Sequence, residues 1–409
     1  MRSLLRAASC LGGMLVACPA LAQELEVVHY WTSEAESKAM GALADAYVAA
    51  GGTWVDSATG GGEDATALAI SRIMGGDAPS ALLTTPGGTV DEMAGSGMLR
   101  DFNDLAAAEG WEQQVSPLVW QSMLSDGNVV AIPLGMHADN WIWYSSSLFG
   151  ELGIEAPKSW DEIIAAADRI DAEGKVGLAI GGEPWQILYV LTDLVIGVGG
   201  DELYDALFVQ HDAERATGAD TIRAFELLRE VSGHADEAST GRSWNDTTNM
   251  VVTGRAGMQP MGDWAKGEFS AAGLTAGSDY GCMLAPSASG TPYVIVVDVL
   301  VFPNPDSDEE AAGQETLASL AMSADVASAI AAGKGSVPVV NTVESGALDH
   351  CAALGAAAAR EGVVLPTVYS SLSGDQLGQL TDLVGQYWAD PSMSAESGAE
   401  ALAGILSGS

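Results

Sequence analysis

Basic residues are scarce in this 409-residue chain: Lys and Arg together number 16 against 55 Asp and Glu, leaving a formal net charge of −39. A field of that sign repels nucleic acid and anionic lipid alike, so a polynucleotide partner is excluded. The acidity reads first as a solubility adaptation, and it favours a neutral or cationic small molecule over an anionic one. Cysteine is equally sparse, with four residues and no Cys-x-x-Cys, and the five histidines are scattered. A metal centre therefore has no ligand set to draw on, and no cofactor is called for. No Gly-x-Ser-x-Gly elbow is paired with a histidine, which sets aside a Ser or Cys hydrolase. Gly60-Gly61-Gly62 precedes a helix, but neither Gly-Lys-Ser nor Gly-x-Gly-x-x-Gly follows, so the glycines read as freeing backbone to approach a cleft or another loop. Internal repeats and low-complexity linkers are missing too.

The N-terminus carries Arg2 and Arg6, an apolar run from Leu11 to Ala17, and Ala20-Leu21-Ala22 before Gln23. This is the layout of a secretory signal peptide, with cleavage expected after Ala22. Leu15-Val16-Ala17-Cys18 offers a competing lipoprotein signal that would leave a lipidated Cys18, although Pro19 follows it directly. Removing Arg2 and Arg6 takes the net charge to about −41. After Ala22 no run of about 18 or more apolar residues remains, so nothing further is expected to span a membrane. The expected product is soluble, exported and, by default, monomeric. Its remaining cysteines, Cys282 and Cys351, then lie in an oxidising compartment, either as one disulfide or as two buried thiols.

Roughly 390 residues after the leader exceed what one core supports, and short apolar runs alternating with amphipathic helices predict two α/β domains. Leu25 to Tyr30 reads as the first strand. Ser33-Glu34-Ala35-Glu36 is a capping box, after which Met40, Leu43, Ala44 and Tyr47 recur at helical spacing. Ala81 to Thr84 reads as a buried strand after the turn Gly75-Gly76-Asp77-Ala78-Pro79. Ser159 with Glu162 caps a helix expected to end near Gly174.

The most telling stretch runs from Trp244 to Trp264. A helical run passes through Thr253-Gly254-Arg255-Ala256-Gly257 into Met258-Gln259-Pro260-Met261-Gly262-Asp263-Trp264. It ends with an indole and a carboxylate side by side, the pair that grips a sugar: the flat ring packs on C–H patches while the carboxylate accepts from two hydroxyls. Ser243-Trp244, Val-Val-Thr-Gly, Arg-Ala-Gly and Met-Gly-Asp-Trp-Ala in this spacing resemble the family 1 extracellular solute-binding proteins of bacterial ABC transporters, in their glucose/mannose-binding branch. The likeness runs from about residue 25 to the C-terminus.

That resemblance implies a periplasmic binding protein type II-like fold: two discontinuous α/β lobes joined by a hinge, with the ligand cleft between them. It places residues 23–133 and 298–338 in an N-terminal lobe and 134–297 and 339–409 in a C-terminal lobe. The crossings are expected near Ile132-Pro133-Leu134, within Tyr293 to Pro303, and around Gly335 to Asn341. The implied partners are a small sugar ligand and the membrane permease subunits of the transporter, and the implied location is the periplasm.

Candidate contacts follow. Trp31 and Glu34 stand where the first strand gives way to a helix, the end of an open α/β sheet at which ligands bind; the resemblance makes them a stacking plate and a hydroxyl acceptor, against a core indole and a helix-dipole partner. His137 and Asn140 match the family's His-x-x-Asn-x-x-Trp-Tyr segment and either reach the ligand or brace the hinge. Trp185 follows the flexible Gly181-Gly182-Glu183-Pro184 and is either a further cleft contact or a packed surface indole. Asp298 interrupts the otherwise apolar Tyr293 to Val301, where a carboxylate is costly unless paired; the resemblance turns it toward the sugar with Trp244, Asp263 and Trp264. Lys334 matches a lysine-glycine-serine step, able to donate to hydroxyls or to neutralise Asp298.

Two departures narrow the carry-over. Leu83-Thr84-Thr85 stands where glucose-binding relatives have Gln-x-His, and Tyr369 stands where a histidine is expected after Val-Leu-Pro-Thr-Val. Both put glucose itself in question more than carbohydrate. The rival reading is a secreted glycoside hydrolase using two of Glu34, Asp263 and Asp298 as an acid/base pair.

Overall fold

The computed structural model describes residues 23–236, 238–290, 292–341 and 349–408. The expected leader, its cleavage site and Cys18 lie outside the described residues. The strands are β1 (Glu24–His29), β2 (Thr53–Ala58), β3 (Ala81–Thr84), a short hairpin of β4 (Leu124–Ser125) and β5 (Asn128–Val129), β6 (Ala131–Ala138), β7 (Trp141–Ser145), β8 (Val176–Leu178), β9 (Ala256–Pro260), β10 (Tyr280–Leu284), β11 (Tyr293–Val301) and β12 (Val364–Pro366). One mixed sheet runs β12-β11-β3-β1-β2, with β6 also on β11; a second runs β10-β7-β9-β8. In the first, β1 pairs parallel with β2 and β3, whereas β11 runs antiparallel to β3 and β6. The three parallel strands thus end at one edge, where their following loops gather.

Local chemistry sets the helices that matter for that edge. Ser33 accepts from Glu36 N–H at 3.2 Å and the Glu36 carboxylate accepts from Ser33 N–H at 3.2 Å, so the expected capping box starts the helix Glu34–Ala49. Ser159 caps Trp160–Ala172 by accepting from Glu162 N–H at 3.2 Å, while the Glu162 carboxylate accepts from Lys158 N–H rather than from Ser159, and the chain leaves that helix at Glu173-Gly174, as expected. Pro184–Tyr204 is apolar on nearly every face because it runs through a core.

Two main cores result. Leu25, Leu43, Ile132, Phe302 and Leu317 pack around the first sheet, while Ile142, Leu191, Phe225, Val384 and Leu402 pack beside the second. The expected crossing at Ile132-Pro133-Leu134 falls inside β6, which stays on β11 as far as Ala138; the change of sheet comes at Asp139 and Asn140. Cys282 and Cys351 are joined by a disulfide, with Cα atoms 5.9 Å apart. Among the described residues no single helix is long and apolar enough to cross a membrane.

Candidate functional site

Between the two sheets lies a cavity of about 550 Å³, within the ~300–1,000 Å³ typical of ligand clefts. The parallel strands supply one side of it. Tyr30 and Thr32 follow β1, Gly60 to Gly62 follow β2, and Thr84 and Thr85 end β3. β6 adds His137, β11 adds Asp298, and the C-terminus of the helix Ala324–Lys334 adds Lys334. The opposite side comes from three helix starts: Trp185 and Tyr189 on Pro184–Tyr204, Trp244 on Trp244–Val252, and Trp264 just before Ala265–Ala271. Tyr369 and the helix Gly374–Ala389 close the rim.

The first side is a chain of buried charges. Glu36, already spent on the capping box through Oε2, accepts from Lys334 Nζ through Oε1 at 2.8 Å. Lys334 Nζ also lies 3.9 Å from Asp298 Oδ2 and 4.4 Å above the Trp31 ring, so the ammonium is fixed by two carboxylates and an indole face. Asp298 accepts from the Tyr30 hydroxyl at 3.0 Å and sits 3.1 Å from His137 Nε2, though that contact is not aligned as a hydrogen bond. Burial pushes the Asp298 carboxyl up, but Lys334, His137 and Tyr30 outweigh it and hold the group below the ordinary carboxylate range. Burial likewise pulls His137 down, while Asp263 and Asp298 on its two nitrogens raise it more, so its affinity for a proton ends above that of free imidazole. For Tyr30 burial dominates, with Asp298 adding to it, and the phenol stays protonated as a donor.

Backbone geometry makes room for this chain. The β6–β11 register shifts between Asp298 and Val299, a bulge of the kind that re-aims side chains beside sites. Asp298 pairs there with Gly135, where a Cβ would meet His137 Nε2 at 3.1 Å.

The opposite side is aromatic. Trp264 meets Tyr189 with ring centroids 5.7 Å apart and His137 edge-on at 5.8 Å; Tyr189 in turn touches Trp185 and Tyr369 at 5.7 and 5.8 Å. Glu183 holds Trp185 by accepting from its indole N–H at 3.2 Å and from Gln186 at 2.8 Å. Gly262 lets the Trp264 ring fold back over the chain, since a Cβ there would lie 2.2 Å from it.

Seven of the eleven contacts expected from the sequence line this cavity: His137, Trp185, Trp244, Trp264, Asp298, Lys334 and Tyr369. The other four do not. Trp31 is 1% exposed and belongs to the first core, underneath Lys334. Glu34 points to solvent from the first turn of its helix; Glu36, two residues on and so on another face, reaches the cavity instead. Asn140 is 0% exposed and donates to Pro292 carbonyl at 2.9 Å while accepting from Val294 N–H at 3.0 Å, which fastens the β6–β7 corner to β11. Asp263 accepts from His137 Nδ1 at 2.7 Å and Ala138 N–H at 3.2 Å, so it orients the histidine from behind. Sequence reasoning missed Glu36, Tyr189 and Glu63. The capping box already marked Glu36 as facing back toward the strand end, and Tyr189 lies one helical turn from Trp185, on the same face; no such signal marks Glu63.

Comparison with known proteins gives a concordant picture. The sequence profile described as bacterial extracellular solute-binding protein matches residues 31–317. A probable sugar-binding periplasmic protein of Brucella suis is 34% identical over 332 residues, covering 80% of this chain and 78% of the relative. Among solved structures, a chitin oligosaccharide binding protein superposes with a TM-score of 0.81 at 18% identity, covering 95% of this chain and 98% of the other. The bacterial solute receptor AcbH, described as having an exclusive preference for β-D-galactopyranose, superposes with a TM-score of 0.79 at 19% identity, covering 93% and 97%.

Proposed function

This chain belongs to the bacterial extracellular solute-binding protein family, and from that membership we propose that it captures a neutral monosaccharide or small saccharide, glucose-like in its hydroxyl pattern, in the cavity between its sheets. It has the periplasmic binding protein type II-like fold. It is a sugar-binding protein and not an enzyme, works in the periplasm, and delivers its ligand to the membrane permease of an ABC transporter.

The observation that carries the ligand reading is the opposition of indoles to fixed polar groups across one cavity. A pyranose has apolar C–H faces and an equator of hydroxyls. The faces suit Trp264 and Trp244; the hydroxyls suit Asp298 as acceptor, Lys334 as donor, and the Tyr30 oxygen, whose proton goes to Asp298, as a further acceptor. Leu83-Thr84-Thr85, at the end of β3, stands where glucose-binding relatives have Gln-x-His, so an apolar residue and a short hydroxyl replace two strong hydrogen-bonding groups, which speaks against glucose itself more than against a carbohydrate. A glycosidase needs two carboxyls flanking one bond; of Glu34, Asp263 and Asp298 only Asp298 lines the cavity, Glu34 pointing to solvent and Asp263 standing behind His137.

We assign residues 23–133 with 298–338 to one lobe and 134–297 with 339–409 to the other. What supports the division is that the core around the first sheet draws on positions 25–134 and 300–340, and the core beside the second on 142–294 and 365–406. Two of the boundaries fall within the paired strands β6 and β11, which would serve as the hinge.

A thermal-shift screen of monosaccharides, disaccharides and polyols tests the ligand reading, because a ligand selective for the folded state raises its melting temperature. At least one neutral saccharide should raise it and be recovered unaltered. No shift with any saccharide, or release of a cleaved product, contradicts it.

A further inference from the structure

We infer that the cavity selects by charge, with Glu63 at its mouth as the residue that admits saccharides that are neutral or carry an ammonium group and rejects those carrying a carboxylate or phosphate. The inference rests on the saccharide reading above and adds the ligand's charge class to it.

Lys334 and His137 are the basic side chains among the described residues that line the cavity, and both are committed. Lys334 Nζ stands 2.8 Å from Glu36 and 3.9 Å from Asp298; His137 stands 2.7 Å from Asp263 and 3.1 Å from Asp298. An anionic substituent would compete with two carboxylates for each cation. Arginine, the usual bidentate partner of carboxylates and phosphates, is missing from the lining.

The mouth carries the opposite sign. Glu63 and Asp64 open the helix Gly62–Gly75, which faces the helix Gly374–Ala389 and its Thr381-Asp382 pair. Glu63 Oε1 receives the Thr381 hydroxyl at a long 3.5 Å and has no ion pair among the described residues. Burial pushes the Glu63 carboxyl up and outweighs the lowering from the Thr381 hydroxyl, with Asp382 and then Asp64 adding smaller rises. Like charges therefore converge on the mouth from both sides. A helix N-terminus can hold an anion, but this one already has Glu63 and Asp64 in its first turn. Glu183, also at the wall, differs because its Oε2 is taken by Trp185 and Gln186. An ammonium reaching Glu63 would supply the counter-charge that the mouth lacks; a carboxylate would meet repulsion from two helices.

Calorimetric titration at low salt, using glucose and galactose, their 2-amino and 6-amino derivatives, their uronates, and disaccharides of each, tests this. Each uronate should bind at least about tenfold more weakly than its parent neutral sugar, a difference of ~1.4 kcal/mol. At least one amino derivative should bind as tightly as its parent or better. Glu63→Gln, which keeps an acceptor for Thr381 and sits in an exposed first turn, should lower the amino-to-neutral affinity ratio about threefold or more. Uronates binding as well as their parents, or a ratio unmoved in Glu63→Gln, overturns the inference while neutral sugars still bind. Binding by none of the neutral sugars overturns the saccharide reading itself, and this inference with it.

Discussion

On the side of the first sheet the cleft is a run of charges, Glu36, Lys334, Asp298 and His137, each tied to the next; on the side of the second it is a run of rings, Trp185, Tyr189, Trp264 and Tyr369. The two sides differ in what a single change removes. A ring can be lost with a proportional loss of contact area, whereas removing one member of a buried ion chain leaves its neighbours charged and alone. The charged side is thus a structural device that also orients hydroxyls, and the aromatic side is where binding area resides.

The largest expected effect breaks the charged side. Lys334→Met takes the cation from buried Glu36 and leaves Asp298 to His137 and Tyr30, and should cost about 3–5 kcal/mol of folding stability, read from urea denaturation of the unliganded protein; a change below about 1 kcal/mol would show the chain to be dispensable. Trp264→Ala tests the other side. Measured from the variant's own unliganded melting temperature, the saccharide-induced shift should vanish, as expected for a central anchor worth ~2–4 kcal/mol of binding.

A third test compares two buried aspartates. Asp298 has cations beside it, whereas Asp139, equally buried, has the Thr367 hydroxyl at 2.8 Å and no cation among its perturbing neighbours. Burial pushes Asp139 up to about 7, with Asp263 adding to it against Thr367; Asp193, on the helix Pro184–Tyr204, is raised well above its ordinary value by burial and by Asp139. Since the unfolded carboxyl ionises near pH 4, the folded state binds more protons between about pH 4 and 7. Asp139 then lowers stability progressively as pH rises through that window, by about 2–4 kcal/mol in all. Asp139→Asn should flatten the slope and stabilise the protein above pH 7, as followed by denaturation midpoints across pH. Asp298 contributes with the opposite sign, its stabilisation being lost as pH falls below about 4. The smallest effect is on affinity: Asp298→Asn keeps the shape but not the charge, and should weaken saccharide binding about tenfold, ~1.4 kcal/mol, by calorimetry.

Much of the frame was legible in the sequence because it is local. The capping box at Ser33, the strand Ala81–Thr84 and the apolar strand Tyr293–Val301 carry their signals within a few residues. The need of Asp298 for a partner could be stated from burial alone, but its partners lie on β6, on the β1 loop and at the end of a distant helix. Trp31 and Glu34 show the limit. Residues at a strand end are near the cleft by topology, but which of two neighbouring acids faces inward depends on helix phase, and Glu36 takes that place. Asn140 and Asp263 have the chemistry of sugar contacts and are spent on holding backbone and His137. Glu63 is invisible locally because its setting is made by a helix more than 300 positions away.

The most direct test is a crystal structure of the protein with the neutral saccharide that most raises its melting temperature. A sugar ring packed on Trp264 with a hydroxyl within hydrogen-bonding distance of Asp298, its glycosidic bonds intact, is the predicted result. A saccharide bound elsewhere, with both residues untouched, would contradict it.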